Sequence, residues 1–376
     1  MLRTTIATVF ITVVVIAPAI SHAQAEVVPD VMTFAKAKVL EISNQRTETI
    51  PGTNTESQIQ TVKAEILEGA EKGKLVTFEN DYVQVSEGET FYIRHTTQDL
   101  DGTDFYSVAD PYRLNILMGL AIVFLILTVL FGGIQGVRGL ASLGGSLVLI
   151  FYLLIPGILS GFNPILLAIG VSSLIIVVGS YITHGFNKTT SAAVVGMITT
   201  VIVTGLAAFY VVDAANLSGF SSDESVYLNF NAQGSISLIA LLFGGIMIGL
   251  LGVLYDSAIG QAIAVEELFR AGKHMNRPQV YRRAIRIGRE HIGALINTLA
   301  IAYVGAALPL LLLVSQSSTG GLGFTLNSEI FATEIIRVLI GSIGLILAVP
   351  ITTLIASYML ADMEGKGGEV VHIHSH

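Results

Sequence analysis

Charged and amide side chains close to apolar segments are where this sequence could do chemistry. Asp256 ends one long apolar stretch, and two glutamates follow it about three turns further along the same predicted helix. Asn297 interrupts a later apolar stretch. Such groups are costly in hydrocarbon unless they are paired or face a water-filled cavity. The predicted substrate-binding or gating residues are Asp256, Asn297, Glu266, Glu267, Tyr303 and Pro309.

Each of these candidates has a plainer interpretation. Asp256 can cap the end of its span and pair with the basic loop that follows. Asn297 can be a hydrogen-bonding contact between helices. Pro309 and Pro350 either kink their helices or free backbone carbonyls that line a cavity. Both interpretations stay open at the level of sequence.

Other residues are predicted to pack the helices or to face the bilayer. Glu334 and Arg337 are three residues apart, which favours a local ion pair at the outer start of the last span. Helix packing through small residues is predicted at Gly245, Gly249, Gly252, Gly341 and Gly344. A basic inner-leaflet loop that meets anionic lipid headgroups is predicted from Arg270, Lys273, Arg277, Arg282, Arg283, Arg286 and Arg289. Residues 256–291 around it fit an amphipathic helix on the inner leaflet or a helical hairpin.

Several classes of chemistry lack their residues. The chain has no cysteine, so disulfides and thiolate chemistry are excluded. It has no P-loop, no G-x-S-x-G and no H-E-x-x-H motif, and we therefore expect neither an enzyme nor a cofactor or metal site. The soluble part carries no basic patch, so we expect no nucleic-acid partner.

The composition identifies the elements that must position these residues. Of 376 residues, 52% are hydrophobic and only 13% are charged, and the mean hydropathy is +0.71. A soluble domain is usually about 25% charged. Stretches long enough to cross a hydrocarbon core of about 30 Å predict a transmembrane helical domain over residues 113–360. Its seven predicted spans are 115–134, 140–159, 163–183, 190–212, 235–255, 292–314 and 335–360.

Residues before the spans predict export. Residues 1–25 have a positive start, a short apolar run and an A-x-A-like site, which is typical of a signal peptide; an uncleaved anchor is the alternative. Residues 26–112 carry sixteen acidic against seven basic residues. Their alternating apolar pattern and turn residues predict a small β-barrel-like, OB-like domain.

Orientation follows from the loops. Lys and Arg are confined to alternate loops, which predicts an N-terminal domain outside and a cytoplasmic tail at 361–376. The predicted location is therefore the bacterial plasma (inner) membrane. The lipid bilayer is the expected partner, and a homo-oligomer or a membrane partner stays open.

Several stretches resemble the YibE/F-like family of bacterial multi-pass membrane proteins. They are Glu68–Lys74, Asp110–Arg113, Gly132–Gly145, Gly249–Glu267, Gly288–Pro309 and Gly341–Pro350. The resemblance implies the architecture more than the mechanism. Many spans, glycine-rich packing and broken helices favour a permease or transporter of unknown substrate. The alternative is a non-transporting accessory factor for envelope assembly or protein export that acts through the exported β domain.

Overall fold

The first element along the chain is a five-stranded antiparallel sheet. In the computed structural model of the protein, residues 31–49, 52, 56–98, 103–232, 234, 236–272, 275–316 and 321–361 are described. The chain divides into two units between Leu125 and Ile126. The predicted signal peptide lies outside the described residues, as does the tail beyond residue 361.

The strands of the sheet are β1 (Val31–Thr49), β2 (Glu56–Ile66), β3 (Leu75–Asn80), β4 (Thr90–Thr97) and β5 (Asp104–Pro111). Their order in the sheet is β3-β2-β1-β4-β5. β1 is long and irregular, with register shifts after Val39 and after Ile42 that let it bend. The edge strands β3 and β5 approach each other, so the sheet is a half-barrel.

Alternation of side chains builds the core of this half-barrel. Every second residue of β2 from Gln60 to Ile66 is buried, as the period of a strand with one solvated face requires. The core consists of Ala37, Val39, Val62, Ala64, Ile66, Val76, Phe78, Val85, Phe91, Ile93 and Val108. A five-stranded half-barrel agrees with the barrel-like domain that the sequence predicted.

Helices make up the rest of the described chain. A π-helical turn at Ile150–Leu154 joins the first two of them. The helices are α1 (Leu114–Leu149), α2 (Ile155–Leu159), α3 (Pro164–His184), α4 (Lys188–Ala214), α5 (Asp223–Asn231), α6 (Leu238–Ala271), α7 (Arg277–Ala306), α8 (Leu308–Gln316), α9 (Gly321–Asn327) and α10 (Glu329–Met359).

The described part of the chain has five or six candidate spans where the sequence predicts seven. Within the described residues, five helical segments are long and apolar enough to cross a membrane: Leu114–Leu159, α3, α4, α6 and α10. A sixth is the pair α7 and α8, which is bent by 67°. Predicted spans 115–134 and 140–159 fall in one helical run, whose glycines remain helical except Gly133, at φ 53° and ψ −142°.

Two prolines have different effects on their helices. Pro309 has no N–H to donate to Gly305, and the bend between α7 and α8 lies just before it. Pro350, in contrast, lies inside α10, which continues to Met359. Two alternatives were predicted for residues 256–291, and the structure shows the helical hairpin. α6 continues to Ala271, and α7 begins at Arg277.

The helical core is centred on α4, α6 and α10, which contact one another. α4 and α10 cross antiparallel through paired small residues. A Cβ added to Gly196 would lie 2.5 Å from Thr352 Oγ1, and one added to Gly344 would lie 3.0 Å from Thr204 Oγ1. The two glycines therefore bring the backbones together. α3 packs on α4 and α6, and α7 packs on α6 and α10.

Candidate functional site

A pocket of about 340 Å³ lies where α3 ends, α4 begins and α6 approaches its last turns. This volume is at the lower end of the range for small-molecule sites. The lining is mainly polar and charged, with two isoleucines from α6. It consists of His184, Asn187, Lys188, Thr189, Thr190, Ile259, Ile263, Glu266 and Arg270.

Glu266 is the central carboxylate of this pocket. One of its oxygens accepts a hydrogen bond from Thr189 Oγ1, and the other accepts from Arg270 Nη2, both at 2.5 Å. The Glu266 side chain is only 16% exposed, against 33% for Arg270. A carboxylate that is this buried needs such partners, because desolvation penalises its charge.

The turn between α3 and α4 fixes the other wall. Gly185 leaves α3 with φ 74°, a left-handed conformation that favours glycine. Asn187 then caps α4, because its side chain accepts a hydrogen bond from the Thr190 N–H at 2.7 Å. Thr189 is held in the first turn of α4 with its hydroxyl on Glu266.

The lining carries three charged side chains. Lys188 and Arg270 are cationic, and Glu266, which pairs with Arg270, is anionic. The first turn of α4 adds the partial positive charge of a helix N-terminus. The arrangement can offer hydrogen-bond donors to a small anionic group from Arg270 and from the first turn of α4.

The other predicted site residues lie outside this pocket. Asp256 and Asn297 are both exposed, and neither has a hydrogen-bond partner among the described residues. Glu267 is also exposed. Tyr303 packs against α6, where a Cβ on Gly249 would lie 2.6 Å from its hydroxyl oxygen.

The predicted packing glycines fall into two groups. Gly249 and Gly344 lie in close contacts, and Gly341 has Leu299 at an ordinary 3.4 Å. A Cβ on Gly245 or Gly252 would meet no atom of the described chain within 4 Å.

Three charged residues lie near the start of α10. Arg337 Nη1 donates to Glu334 at 2.7 Å, the local pair that their spacing predicted. The sequence interpretation missed Glu329, whose Oε1 accepts hydrogen bonds from the N–H groups of Ser218 and Gly219 at 2.8 and 2.7 Å.

The predicted basic residues divide between two helices. Arg270 belongs to the pocket on α6, and Lys273 lies outside the described residues. The arginines of α7 are exposed along its first half: Arg277, Arg282, Arg283, Arg286 and Arg289. The opposite face of the first half of α7 is buried at Val280, Ala284 and Gly288.

Sequence reasoning also missed Thr189 and His184 as members of the pocket. The signal was present in Gly185 followed by Asn187 and Thr190, which is a helix stop and a new N-cap. This signal predicts the end of α3 and the start of α4, but it does not predict that Glu266 of α6 contacts Thr189 there.

A comparison with known families gives a match over residues 120–362 to the family described as YibE/F-like protein. No curated protein and no solved structure matches the chain.

Proposed function

This chain belongs to the YibE/F-like family, and from that premise we propose that it is a permease of the bacterial plasma membrane for a small anionic solute. The observation that carries the proposal is the pocket around Glu266. A partly buried carboxylate at the end of a membrane bundle, held by a hydroxyl and an arginine, is the kind of group that marks solute pathways. In this proposal the protein is not an enzyme and needs no cofactor.

Antiparallel packing supports alternating access. α4 and α10 run in opposite directions and make two contacts, Gly196 with Thr352 and Thr204 with Gly344. The two contacts are eight residues apart on each helix. The contacts are reciprocal, because a glycine of each helix meets a threonine of the other. In this proposal the two helices rock against each other at these contacts during transport. The bend between α7 and α8 provides a further break in a spanning segment.

Seven crossings, with the β domain outside, are part of the proposal. The run Leu114–Leu159 has 46 residues, which is about 69 Å of helix at 1.5 Å per residue, more than twice the hydrocarbon core. Gly133 divides it into two lengths that each suffice for a crossing. Gln135 Nε2 donates to the carbonyl of Thr183 at 3.0 Å, so the chain just after Gly133 lies level with the end of α3.

Reporter fusions test this topology. Fusions after residues 100, 225 and 322 should report outside, and fusions after 188, 278 and 370 should report inside. The physical reason is the confinement of Lys and Arg to alternate loops. A cytoplasmic signal at residue 100 would contradict both the seven crossings and the export of the β domain. The exposed arginines of α7 then face the inner leaflet, where we propose that they meet anionic headgroups.

Transport is tested in proteoliposomes containing the purified protein and loaded with radiolabelled phosphate, sulfate, acetate or succinate. We expect exchange of at least one of these anions well above that of protein-free liposomes. Glu266→Gln should lower that exchange at least tenfold, because the amide cannot balance Arg270. Glu267→Gln is the matched control: it removes the same charge from the next residue, which is exposed, and should leave the exchange unchanged. Equal effects of the two changes, or no exchange of any anion, would refute the proposal.

An accessory role in envelope assembly or protein export is the second candidate. The observation behind it is that Met32 and Phe34 on β1 and Phe105 on β5 are exposed, with β4 between the two strands, and Phe34 is 62% exposed. Replacing these three with serine should abolish an accessory function while leaving anion exchange intact. The Glu266→Gln change should have the opposite effect.

A further inference from the structure

Three side chains with metal-binding groups meet in the β domain. Glu71 comes from the turn between β2 and β3, His95 from β4 and Asp104 from β5. One ligand atom from each lies within 4.8 Å of the other two. Because three separate elements supply them, the fold assembles the cluster.

Both nitrogens of the His95 ring face carboxylates. Nε2 is 2.8 Å from Asp104 Oδ1, and Nδ1 is 3.4 Å from Glu71 Oε2. A neutral imidazole carries only one N–H, so one nitrogen lone pair then faces a carboxylate oxygen. That arrangement is repulsive unless a cation, either a proton or a metal ion, lies between the two groups.

Neighbouring side chains hold the ring and one carboxylate in place. The Tyr106 ring stacks on the His95 ring, with centroids 4.6 Å apart and planes 10° apart. Thr97 Oγ1 donates to Asp104 Oδ1 at 2.9 Å. Oriented carboxylates and histidines of this kind are typical of the surroundings of metal sites.

One cationic group, the ammonium of Lys74, contacts the cluster through Glu71. Lys74 Nζ lies 2.6 Å from Glu71 Oε1 and 2.7 Å from the Tyr106 hydroxyl. The hydrogen bond from Lys74 holds the pKa of Glu71 below its ordinary value, and Glu71 in turn raises the pKa of Lys74. The Lys74 ammonium balances one of the two carboxylates, so Glu71, Lys74 and Asp104 together keep one negative charge for a second cation.

We propose that His95 Nδ1 and Glu71 bind one divalent transition-metal ion of the Zn²⁺ type, with water completing its coordination, while Asp104 accepts a hydrogen bond from His95 Nε2–H and orients the ring. Zn²⁺ takes nitrogen and carboxylate ligands at about 2.0–2.2 Å, and two ligands of a tetrahedral ion are then about 3.3 Å apart. The observed 3.4 Å between His95 Nδ1 and Glu71 Oε2 agrees with this spacing. A pocket of about 440 Å³, lined in part by Glu71, His95 and Thr97, gives the ion a route from solvent.

The test is calorimetric titration of Zn²⁺ into the full-length protein in detergent, after chelation and dialysis. Every variant is made in a background in which His372, His374 and His376 are alanine, because three histidines on one end bind metal by themselves. We expect one ion per chain near neutral pH. Co²⁺ in place of Zn²⁺ should give visible absorption bands of a protein-bound ion.

Variants separate metal ligation from a structural network. His95→Ala should abolish binding and Asp104→Asn should weaken it at least tenfold, with the circular dichroism spectrum unchanged. Lys74→Met should strengthen it, because the competing ammonium is gone; a purely structural role for Lys74 does not predict that gain. Glu79→Gln, a carboxylate of the same domain outside the cluster, is the control and should bind as the background does. Absence of Zn²⁺ binding in both the background and Lys74→Met would overturn the proposal.

Discussion

The antiparallel crossing of α4 and α10 makes a quantitative prediction about Gly196. A Cβ at this position would lie 2.5 Å from Thr352 Oγ1 and 2.9 Å from Thr352 Cα. The second atom belongs to the backbone of α10, so a side-chain rotation cannot relieve the contact. Gly196→Ala must therefore push the two helices apart.

The magnitude follows from two opposing effects. Overpacking a tight core costs about 1–3 kcal/mol. Alanine is more favourable than glycine inside a helix by about 1 kcal/mol. We therefore expect a net loss of roughly 0–2 kcal/mol for Gly196→Ala. Gly245→Ala is the matched control, since its Cβ meets no atom of the described chain within 4 Å, and it should gain up to about 1 kcal/mol.

The assay is thermal loss of helical circular dichroism in a mild detergent. A chain segment of this size changes its midpoint by about 2–4 °C per kcal/mol, so the two variants should differ by roughly 2–12 °C. Thr352→Ala removes Oγ1, the atom nearest to the added Cβ, and this hydroxyl has no hydrogen-bond partner among the described residues. It should therefore recover part of the loss in the double variant. Equal midpoints for the two glycine variants would refute the reasoning.

Two further changes test other parts of the helical unit. Gly133→Ala should cost about 1–3 kcal/mol, because only glycine readily adopts φ 53° with ψ −142°; Gly132→Ala, one residue earlier in the same helix, should cost little. Thermal midpoints and membrane abundance measure both, and equal midpoints would contradict a required turn at Gly133. Glu329→Gln should cost about 1–3 kcal/mol by weakening its hydrogen bonds from Ser218 and Gly219. Amide hydrogen exchange at Gly219 measures that loss locally, and unchanged protection would contradict it.

Much of the architecture could be predicted because it depends on local chemistry. Long apolar runs must be helical where water cannot satisfy the backbone, so α3, α4, α6 and α10 were expected from composition and length. Alternation gave the strands of the half-barrel in the same way. The ion pair of Glu334 and Arg337 needed only the spacing of one helix turn.

Composition alone did not settle how apolar runs are divided. The first run contains several glycines, and each could be a turn or a tight helix contact. Only backbone geometry singles out Gly133. Likewise Pro309 and Pro350 look alike in sequence, yet α7 ends just before the first and α10 continues through the second.

Hydropathy and charge are properties of single residues, so the amino-acid sequence is enough to say which segments are apolar, acidic or basic. Helix packing, in contrast, is what brings Glu266, and not its neighbour Glu267, to Thr189. One residue along a helix is a rotation of about 100°, and which direction is buried depends on distant helices. For the same reason Glu71, His95 and Asp104 are separate residues in the sequence and a cluster in the fold: strand pairing, which acts between segments, brings them together.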